Sequence, residues 1–133
     1  MNKTGIREVR SSKAPEPVGP YSSAVRAGEL LFVSGQLGID PASGELKDGV
    51  GLQAGQALEN LREVIGTAGA GMERVVKVTL YLASMSDFAE VNRIYAGYFD
   101  VPYPARAAFE VARLPLDALV EIEAIALLEE ERF

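Results

Sequence analysis

The chain has 133 residues, 48% of them hydrophobic and 24% charged, a composition typical of one globular domain over residues 1–133. Nineteen acidic residues against thirteen scattered basic ones give a formal net charge of −6, so nucleic acid is an unfavourable partner. Histidine and cysteine are absent, which excludes a Ser-His-Asp triad, a thiol nucleophile and the usual zinc or iron sites, so we expect neither a metal nor another cofactor.

The first part of the chain predicts three strands and a loop. Strands are expected at residues 6–10, 21–26 and 30–34. The second and third strands form a hairpin around a turn at Gly28 and Glu29. Glycine and proline punctuate residues 35–51, which predicts a loop.

An amphipathic helix follows from Leu52 onward, because apolar residues recur there at steps of three and four until Gly69 or Gly71 can end it. Its apolar positions are Ala54, Leu58, Leu61, Ile65 and Ala68. A period of two then predicts a strand over residues 75–82. One face of that strand carries Val76, Val78, Leu80 and Leu82, and the other carries Lys77, Thr79 and Tyr81.

A second helix is expected after Ser86, with Asp87 and Glu90 in the spacing of a capping box, and it must end before Pro102. Its apolar positions are Phe88, Val91, Tyr95 and then Tyr98 or Phe99. Two more strands are predicted at residues 106–113 and 120–128. The order is therefore β-β-β-α-β-α-β-β, an α+β fold.

Two helices can cover only one face of such a sheet. Residues 30–33 and 124–128 are nevertheless apolar on both faces, so we expect the second face to meet other subunits. Residues 128–133 read as a solvated end, although Phe133 could dock on a neighbour. The chain has neither a signal-peptide pattern nor an apolar run approaching about 18 residues, which favours a cytoplasmic protein without a membrane segment.

Arg106 begins a strand-like, largely apolar run and has two interpretations. On parity alone it shares a strand face with Glu110, which favours a structural ion pair. Its planar guanidinium also suits two-pronged binding of a substrate carboxylate. The pattern of residues leaves both open.

Glu121 and Glu123 share one face of the last predicted strand. Paired carboxylates on a strand are often a solvated edge. In a chain without histidine, however, one of them could hold or deprotonate a water molecule. The sequence pattern gives these two interpretations about equal weight.

Three more places could contact a ligand. Ser34 and Gly35 end a predicted strand, where a hydroxyl and backbone groups can point at a ligand, although a plain strand terminus is the commoner reading. Tyr21 is either a core aromatic or the lid of a pocket. Asn92 lies beside the apolar stripe of the second helix, so its half-buried amide needs partners from the protein or a ligand.

Six motifs, taken in order, resemble the RidA (YjgF-like) family over about residues 14–127. They are Val18-Gly-Pro-Tyr21, Ser34-Gly-Gln36, Asp40-Pro-Ala-Ser-Gly44, Tyr103-Pro-Ala-Arg106, Glu110-Val-Ala-Arg-Leu-Pro115 and Glu121-Ile-Glu-Ala-Ile-Ala126. The resemblance implies a chorismate-mutase-like α+β fold, with both helices on one face of the sheet. It also implies a homotrimer with clefts at its subunit interfaces.

The activity that the resemblance implies is hydrolysis of reactive enamines and imines, such as 2-aminoacrylate and 2-iminobutanoate, to 2-oxo acids and ammonia. By this resemblance Arg106 binds the substrate carboxylate and Glu121 positions the water. The family's pocket residues correspond to Tyr21, Ser34, Asn92 and the backbone of Gly35. Ala108 stands where the family often has a cysteine, which puts in doubt any role for a thiol but leaves hydrolysis by water possible.

Two other functions stay open. Some family members are linked to ribonuclease activity or inhibition of translation, which the negative charge and the lack of histidine disfavour. A non-catalytic sensor of small carboxylates would use the same arginine and act through a partner protein. The preferred substrate side chain and the pathway protected do not follow from the sequence.

Overall fold

The structure, a computed structural model, describes residues 4–129. Within that range the chain forms six strands and two α-helices in the order predicted. They are β1 (Ile6–Val9), β2 (Ala24–Ala27), β3 (Leu30–Leu37), α1 (Val50–Thr67), β4 (Val75–Leu82), α2 (Phe88–Ala96), β5 (Ala105–Glu110) and β6 (Val120–Leu127). The α+β class is confirmed.

All six strands join one sheet in the order β1-β2-β3-β6-β4-β5. Every neighbouring pair is antiparallel except β4 and β5, which are parallel and are joined through α2. A parallel pair needs such a crossover because a short turn cannot return the chain to the same end of the sheet. In this strand order the last strand, β6, lies between β3 and β4 in the middle of the sheet.

The core lies between the sheet and the helices. On β6 every second side chain is buried, as a strand with one covered face requires. The predicted apolar stripe of α1 packs on this face, where Leu58, Leu61 and Ile65 are fully buried. Val91 and Tyr95 of α2 extend the same core toward β5. Both helices thus cover one face, as predicted.

The opposite face of the sheet has no helix on it in the described chain. It carries Glu121 and Glu123 together with several apolar side chains. Among these, Leu30, Phe32 and Phe109 are 37%, 43% and 53% exposed. The apolar character predicted for a second, uncovered face is present, because alternate residues of β3 and β6 are apolar on both sides.

The third strand runs three residues farther than predicted. Val33 pairs with Ala124 and Gln36 pairs with Ile122, so Ser34 and Gly35 together face a single residue of β6. This β-bulge lets the strand continue to Leu37 after one extra residue. The prediction that Ser34 ends the strand is therefore wrong, because a glycine inside a strand can mark a bulge as well as an end.

A similar irregularity corrects the prediction for β4. Its pairing with β6 shifts between Val75 and Lys77, so Val75 is buried and Val76 is 43% exposed. Val76 therefore does not share the buried face of Val78 and the later apolar residues. The simple alternation fails here because the bulge inserts one residue.

The fifth strand ends at Glu110, three residues before the predicted end. Within residues 4–129 its one partner is β4, whose last paired residue is Leu82. The Val111 amide donates the final bond to the Leu82 carbonyl, 2.9 Å away. Arg113 lies beyond the strand and pairs with Asp117 at 2.7 Å. The length of β5 is therefore set by how far β4 extends beside it, rather than by the length of the apolar run in the sequence.

Other boundaries differ from the prediction. β2 begins at Ala24 rather than residue 21, where its pairing with β1 starts, and α1 begins at Val50. Asp87 does not form the predicted capping box, because its own backbone is helical and it is the last residue of a 3₁₀ turn, Met85–Asp87. That turn is capped instead by Ser84, whose side chain accepts the Ser86 amide. Gly69 follows α1 with a φ of 90°, as expected for a helix end.

Some predictions fall outside the described residues. They concern residues 1–3 of the predicted single domain and residues 130–133 of the predicted solvated end, including Phe133. Within residues 4–129, neither α-helix has both the length and the apolar character needed to cross a membrane.

The close contact between Gly38, which follows β3, and Gln53 of α1 can be tested by substitution. A Cβ at Gly38 would lie 2.4 Å from the Gln53 Cα and backbone oxygen, whereas one at Gly55 would meet nothing within 4 Å. We expect Gly38→Ala to lower the free energy of unfolding by about 2–3 kcal/mol, because backbone must move. Gly55→Ala, the matched control within α1, should raise it by about 0.5–1 kcal/mol. Denaturant titration measures both, and parent-like stability of Gly38→Ala would contradict this contact.

Candidate active site

A cleft of about 640 Å³ opens beside the bulge of β3. Its wall combines four parts of the chain: the segment before β2, the end of β3 with the following residues, the 3₁₀ turn before β6, and β6 itself. The lining residues are Pro15, Glu16, Pro17, Val18, Tyr21, Ser23, Ser34, Gly35, Gln36, Leu37, Ile39, Pro115, Leu116, Glu121 and Glu123. Four of the six predicted site residues thus lie together, namely Tyr21, Ser34, Gly35 and Glu121.

The two carboxylates of β6 have different surroundings. Glu123 accepts a hydrogen bond from the phenol of Tyr81 on the neighbouring strand β4. That bond and the loss of solvent around the phenol raise the pKa of Tyr81 to about 12, so it remains a donor at neutral pH. One oxygen of Glu123 is therefore already occupied by the protein.

Glu121 has no hydrogen-bond donor among residues 4–129 and lines the cleft. Partial burial raises its pKa above the ordinary value for glutamate, and the nearby charge of Glu123 raises it further. A carboxylate with free oxygens and increased proton affinity can accept a proton from water. The structure thus distinguishes two residues that the sequence pattern left equivalent.

The absence of a side chain at Gly35 makes room for Glu121. A Cβ built on Gly35 would lie 2.7 Å from the Glu121 Cδ and 2.9 Å from its Oε2. The Glu121 side chain therefore rests directly on the backbone of the bulge. Space, rather than an unusual backbone angle, is the reason for glycine at this position.

Ser34 and Tyr21 supply the polar groups on the other side of the cleft. The Ser34 hydroxyl donates to the Ser22 carbonyl at 2.6 Å, so only its oxygen lone pairs remain for a ligand. Tyr21 is 52% exposed, and its phenol oxygen accepts the Val18 amide at 3.4 Å. No acceptor for the Tyr21 hydroxyl proton lies within residues 4–129, so it remains available to a ligand.

Two buried amides on α1 hold the walls of the cleft. Asn60 donates to the carbonyls of Leu37 and Ile39 at 3.2 and 2.9 Å. Gln53 donates to the Lys47 carbonyl at 3.0 Å and accepts the Leu119 amide at 2.8 Å. The loop after β3 and the residues before β6 are thereby fixed to the same helix.

Arg106 and Asn92 lie together, away from this cleft. Arg106 Nη1 donates to Asn92 Oδ1 at 2.8 Å. The guanidinium carbon also lies 4.8 Å from the ring centre of Tyr95 and 5.4 Å from that of Phe88. Asn92 and two aromatic rings of α2 therefore hold the arginine in one orientation.

The strand register shows how far Arg106 is from Glu121 within one chain. Arg106 pairs with Val78, and Val78 pairs with Ala124, three residues from Glu121 along β6. Two strand spacings and three residues amount to roughly 14 Å between Cα atoms. Arg106 also lies on the helix-covered face, whereas Glu121 lies on the opposite one. The predicted site is therefore divided into two groups in the single chain.

The predicted structural ion pair between Arg106 and Glu110 is wrong. Glu110 instead accepts the backbone amide of Met85 at 2.8 Å. The alternation of side chains correctly predicted that both residues share one face of the strand. The Glu110 carboxylate nevertheless points toward the 3₁₀ turn before α2. Ala108, between them, packs against the core.

Several site residues were not identified from the sequence. Tyr81 was placed only on the outer face of its strand, because nothing local shows that β4 lies beside β6. Leu116 lines the cleft with a φ of 58°, a conformation unusual for leucine. The sequence had one signal for the buried amides. Gln53 and Asn60 are polar residues at positions where the spacing of a helix predicts apolar ones.

Comparison with known proteins identifies the family. Residues 11–128 match the model of the family described as endoribonuclease L-PSP. This is the RidA/YjgF family that the six motifs resemble, and because the match covers most of the chain, the chain belongs to it.

Relatives of similar closeness have different names. A Mus musculus protein named 2-iminobutanoate/2-iminopropanoate deaminase is 52% identical over 124 residues, which cover 92% of each chain. A RutC family protein from Pyrococcus horikoshii is 50% identical over 120 residues, covering 90% of this chain and 95% of the relative. The crystal structure of E. coli TdcF with bound serine is 36% identical, with a TM-score of 0.89, and the match covers 92% of this chain and 99% of TdcF.

The raised pKa of Glu121 predicts a pH-dependent effect on stability. Stability from this group is present below its unfolded pKa of about 4.3 and is lost as pH rises through the folded value. We expect Glu121→Gln to raise the Tm at pH 7, and the gain to disappear near pH 4. Differential scanning calorimetry across pH measures this. Glu29→Gln, in the exposed β2–β3 turn, controls for removing one negative charge, and an equal gain there would contradict the prediction.

Proposed function

We propose that this chain hydrolyses reactive enamines and imines of 2-amino acids, such as 2-aminoacrylate and 2-iminobutanoate, to 2-oxo acids and ammonia. The single observation that carries the proposal is the Glu121 carboxylate, which faces the cleft on top of Gly35 without a hydrogen-bond donor in the described chain. Mammalian relatives about half identical to the chain are named 2-iminobutanoate/2-iminopropanoate deaminase, which supports the same activity.

The proposed reaction uses water as the nucleophile. The enamine first tautomerises to the imine, and water then adds to the imine carbon while Glu121 accepts a proton from it. The proton held by Glu121 passes to the nitrogen and completes a carbinolamine. When its C–N bond breaks, the hydroxyl proton moves to the leaving nitrogen, so ammonia departs and a carbonyl forms at the same carbon. Holding water and substrate together is sufficient for this chemistry, and no covalent intermediate with the protein is required.

Arg106 would reach the cleft of a second copy of the chain. It belongs to β5, an edge strand with no partner on its outer side in residues 4–129, where Arg106 and Phe109 are exposed. Such an edge, together with the uncovered apolar face, favours assembly. In the homotrimer we propose, each site combines Glu121 of one subunit with Arg106 of its neighbour, whose guanidinium binds the substrate carboxylate.

This arrangement gives Asn92 a more specific role than direct contact with substrate. Its Oδ1 already accepts from Arg106, so it orients the guanidinium before substrate arrives. A fixed arginine loses less freedom when it binds a carboxylate, and binding is correspondingly tighter. No residue in the described range accepts from the Asn92 amide, so its two hydrogens remain available to a ligand.

The alternative of a ribonuclease has less support. The family description contains the word endoribonuclease, but the cleft carries two carboxylates close together on β6, which repel a phosphate backbone. Filter binding of RNA over a range of salt concentrations tests this, and salt-dependent affinity in the physiological range would favour the alternative.

A small-carboxylate sensor would use the same arginine. The serine bound to TdcF is compatible with a site for amino-acid-like ligands in either case. Turnover separates the two: a dehydratase generates 2-aminoacrylate or 2-iminobutanoate, and semicarbazide traps what remains. A protein that binds 2-oxo acids but never lowers the trapped amount would be the sensor.

The arginine assignment is tested by Arg106→Ala and Arg106→Lys. We expect turnover to fall about 100-fold in the alanine variant and about 10-fold in the lysine variant, which keeps the charge but loses the two-pronged geometry. The coupled assay measures both. Arg62→Ala is the matched control, because Arg62 also stacks on a tyrosine and bonds a neighbour, with its guanidinium carbon 5.3 Å from the Tyr98 ring centre. Turnover of Arg106→Ala at the parent rate would refute the assignment.

Gly35→Ala tests the carboxylate independently of charge. The new methyl group would occupy the space of the Glu121 carboxyl, the movable end of a side chain, so we expect near-parent stability but at least a 10-fold loss of kcat. Gly66→Ala in α1, where a Cβ meets nothing within 4 Å, is the control. A parent-like kcat for Gly35→Ala would show that the position of Glu121 does not matter.

A further inference from the structure

A tyrosine–glutamate pair lies beside the candidate base. Tyr81 on β4 pairs directly opposite Glu121 on β6, and its phenol donates to Glu123, two residues farther along β6. The strands are neighbours, and all three side chains lie on the helix-free face. The pair and the candidate base therefore form one cluster at the edge of the cleft.

The cluster leaves its two carboxylates in unequal states. Glu123 has an oxygen occupied by the Tyr81 phenol, whereas Glu121 has no donor in the described chain. Residues two apart on a strand are about 7 Å apart. At that separation the charge of Glu123 disfavours a second charge on Glu121. A single hydrogen bond thus determines which carboxylate is free.

We propose that Tyr81 and Glu123 are positioning residues that select Glu121 as the water-holding base. This inference rests on the proposed function. Tyr81 ties down Glu123, so the water is held by Glu121 alone. The fixed charge of Glu123 makes Glu121 a stronger base, which assists transfer of the proton from water.

Other charged groups border the cluster. Glu16, in the segment before β2, lines the cleft with Glu121, and Lys77 of β4 lines a shallow neighbouring cavity with Glu123. Both stay unchanged in every variant below. Differences between variants therefore report on Tyr81 and Glu123.

Glu123→Gln removes the charge but keeps an acceptor for the Tyr81 phenol. The acidic limb of the kcat profile, where Glu121 becomes protonated, should move to lower pH. The plateau kcat should fall about 2- to 5-fold because the base is weaker, with KM within about twofold of the parent. Carbon NMR of protein labelled at the glutamate carboxyls measures the titration of Glu121 without substrate, and its midpoint should move the same way. Glu121→Gln identifies the resonance.

Tyr81→Phe keeps the charge but releases the carboxylate. We expect kcat to fall about 3- to 10-fold with little change in KM, because Glu123 then competes for the water. In a Glu123→Ala background the same change should have no further effect, since Tyr81 acts through Glu123. Independent, additive losses would show that Tyr81 does not act this way.

The chain offers a matched control in a second tyrosine–glutamate pair. The Tyr98 phenol donates to Glu59 at 2.5 Å, away from the cleft. Tyr98→Phe and Glu59→Gln make the same chemical changes and should leave the acidic limb in place. An unmoved limb and an unmoved Glu121 titration in Glu123→Gln would overturn the proposal. If the parent protein has no turnover, the proposed deaminase activity is refuted instead. The NMR titration of Glu121 still decides the role of Tyr81 and Glu123 in that case.

Discussion

The pairing of β3 with β6 is the constraint on which the site depends. One extra residue in β3 places Ser34 and Gly35 opposite a single residue of β6, and the missing side chain of Gly35 leaves space for Glu121. Without the bulge, Gln36 and Leu37 would exchange faces, since a shift of one residue reverses every later side chain. The bulge therefore determines both which residues of β3 face the core and where the Glu121 carboxylate lies in the cleft.

The division of the site follows from the same sheet. Glu121 lies on the central strand and the helix-free face, whereas Arg106 lies on an edge strand and the face that α2 covers. Each group is held separately: Asn60 and Gln53 fix the cleft walls, and Asn92 with two rings fixes the arginine. The proposed homotrimer would use this separation, because Arg106 of one copy would complete the cleft of the next.

Much of the fold could be predicted from local patterns. The order of strands and helices and the buried stripes of α1 and α2 follow from periodicity, because burial on one side imposes it. The errors in the strands have one kind of cause. Val76, the end of β3 and the end of β5 all depend on where a partner strand pairs, shifts or stops. The partner of a strand is not encoded within that strand, so these features could not be predicted locally.

The sequence alone determined the chemical repertoire: arginine, carboxylates and hydroxyls, with no histidine or cysteine. Together with its motifs it also named Tyr21, Ser34, Gly35 and Glu121, which the structure brings to one cleft. The tertiary structure decided what distance and neighbours control. It places Arg106 away from Glu121, and it makes Glu123, rather than Glu121, the acceptor for the Tyr81 phenol. The physical reason is that residue types set which interactions are possible, whereas proton affinity and hydrogen bonding depend on which strands lie side by side.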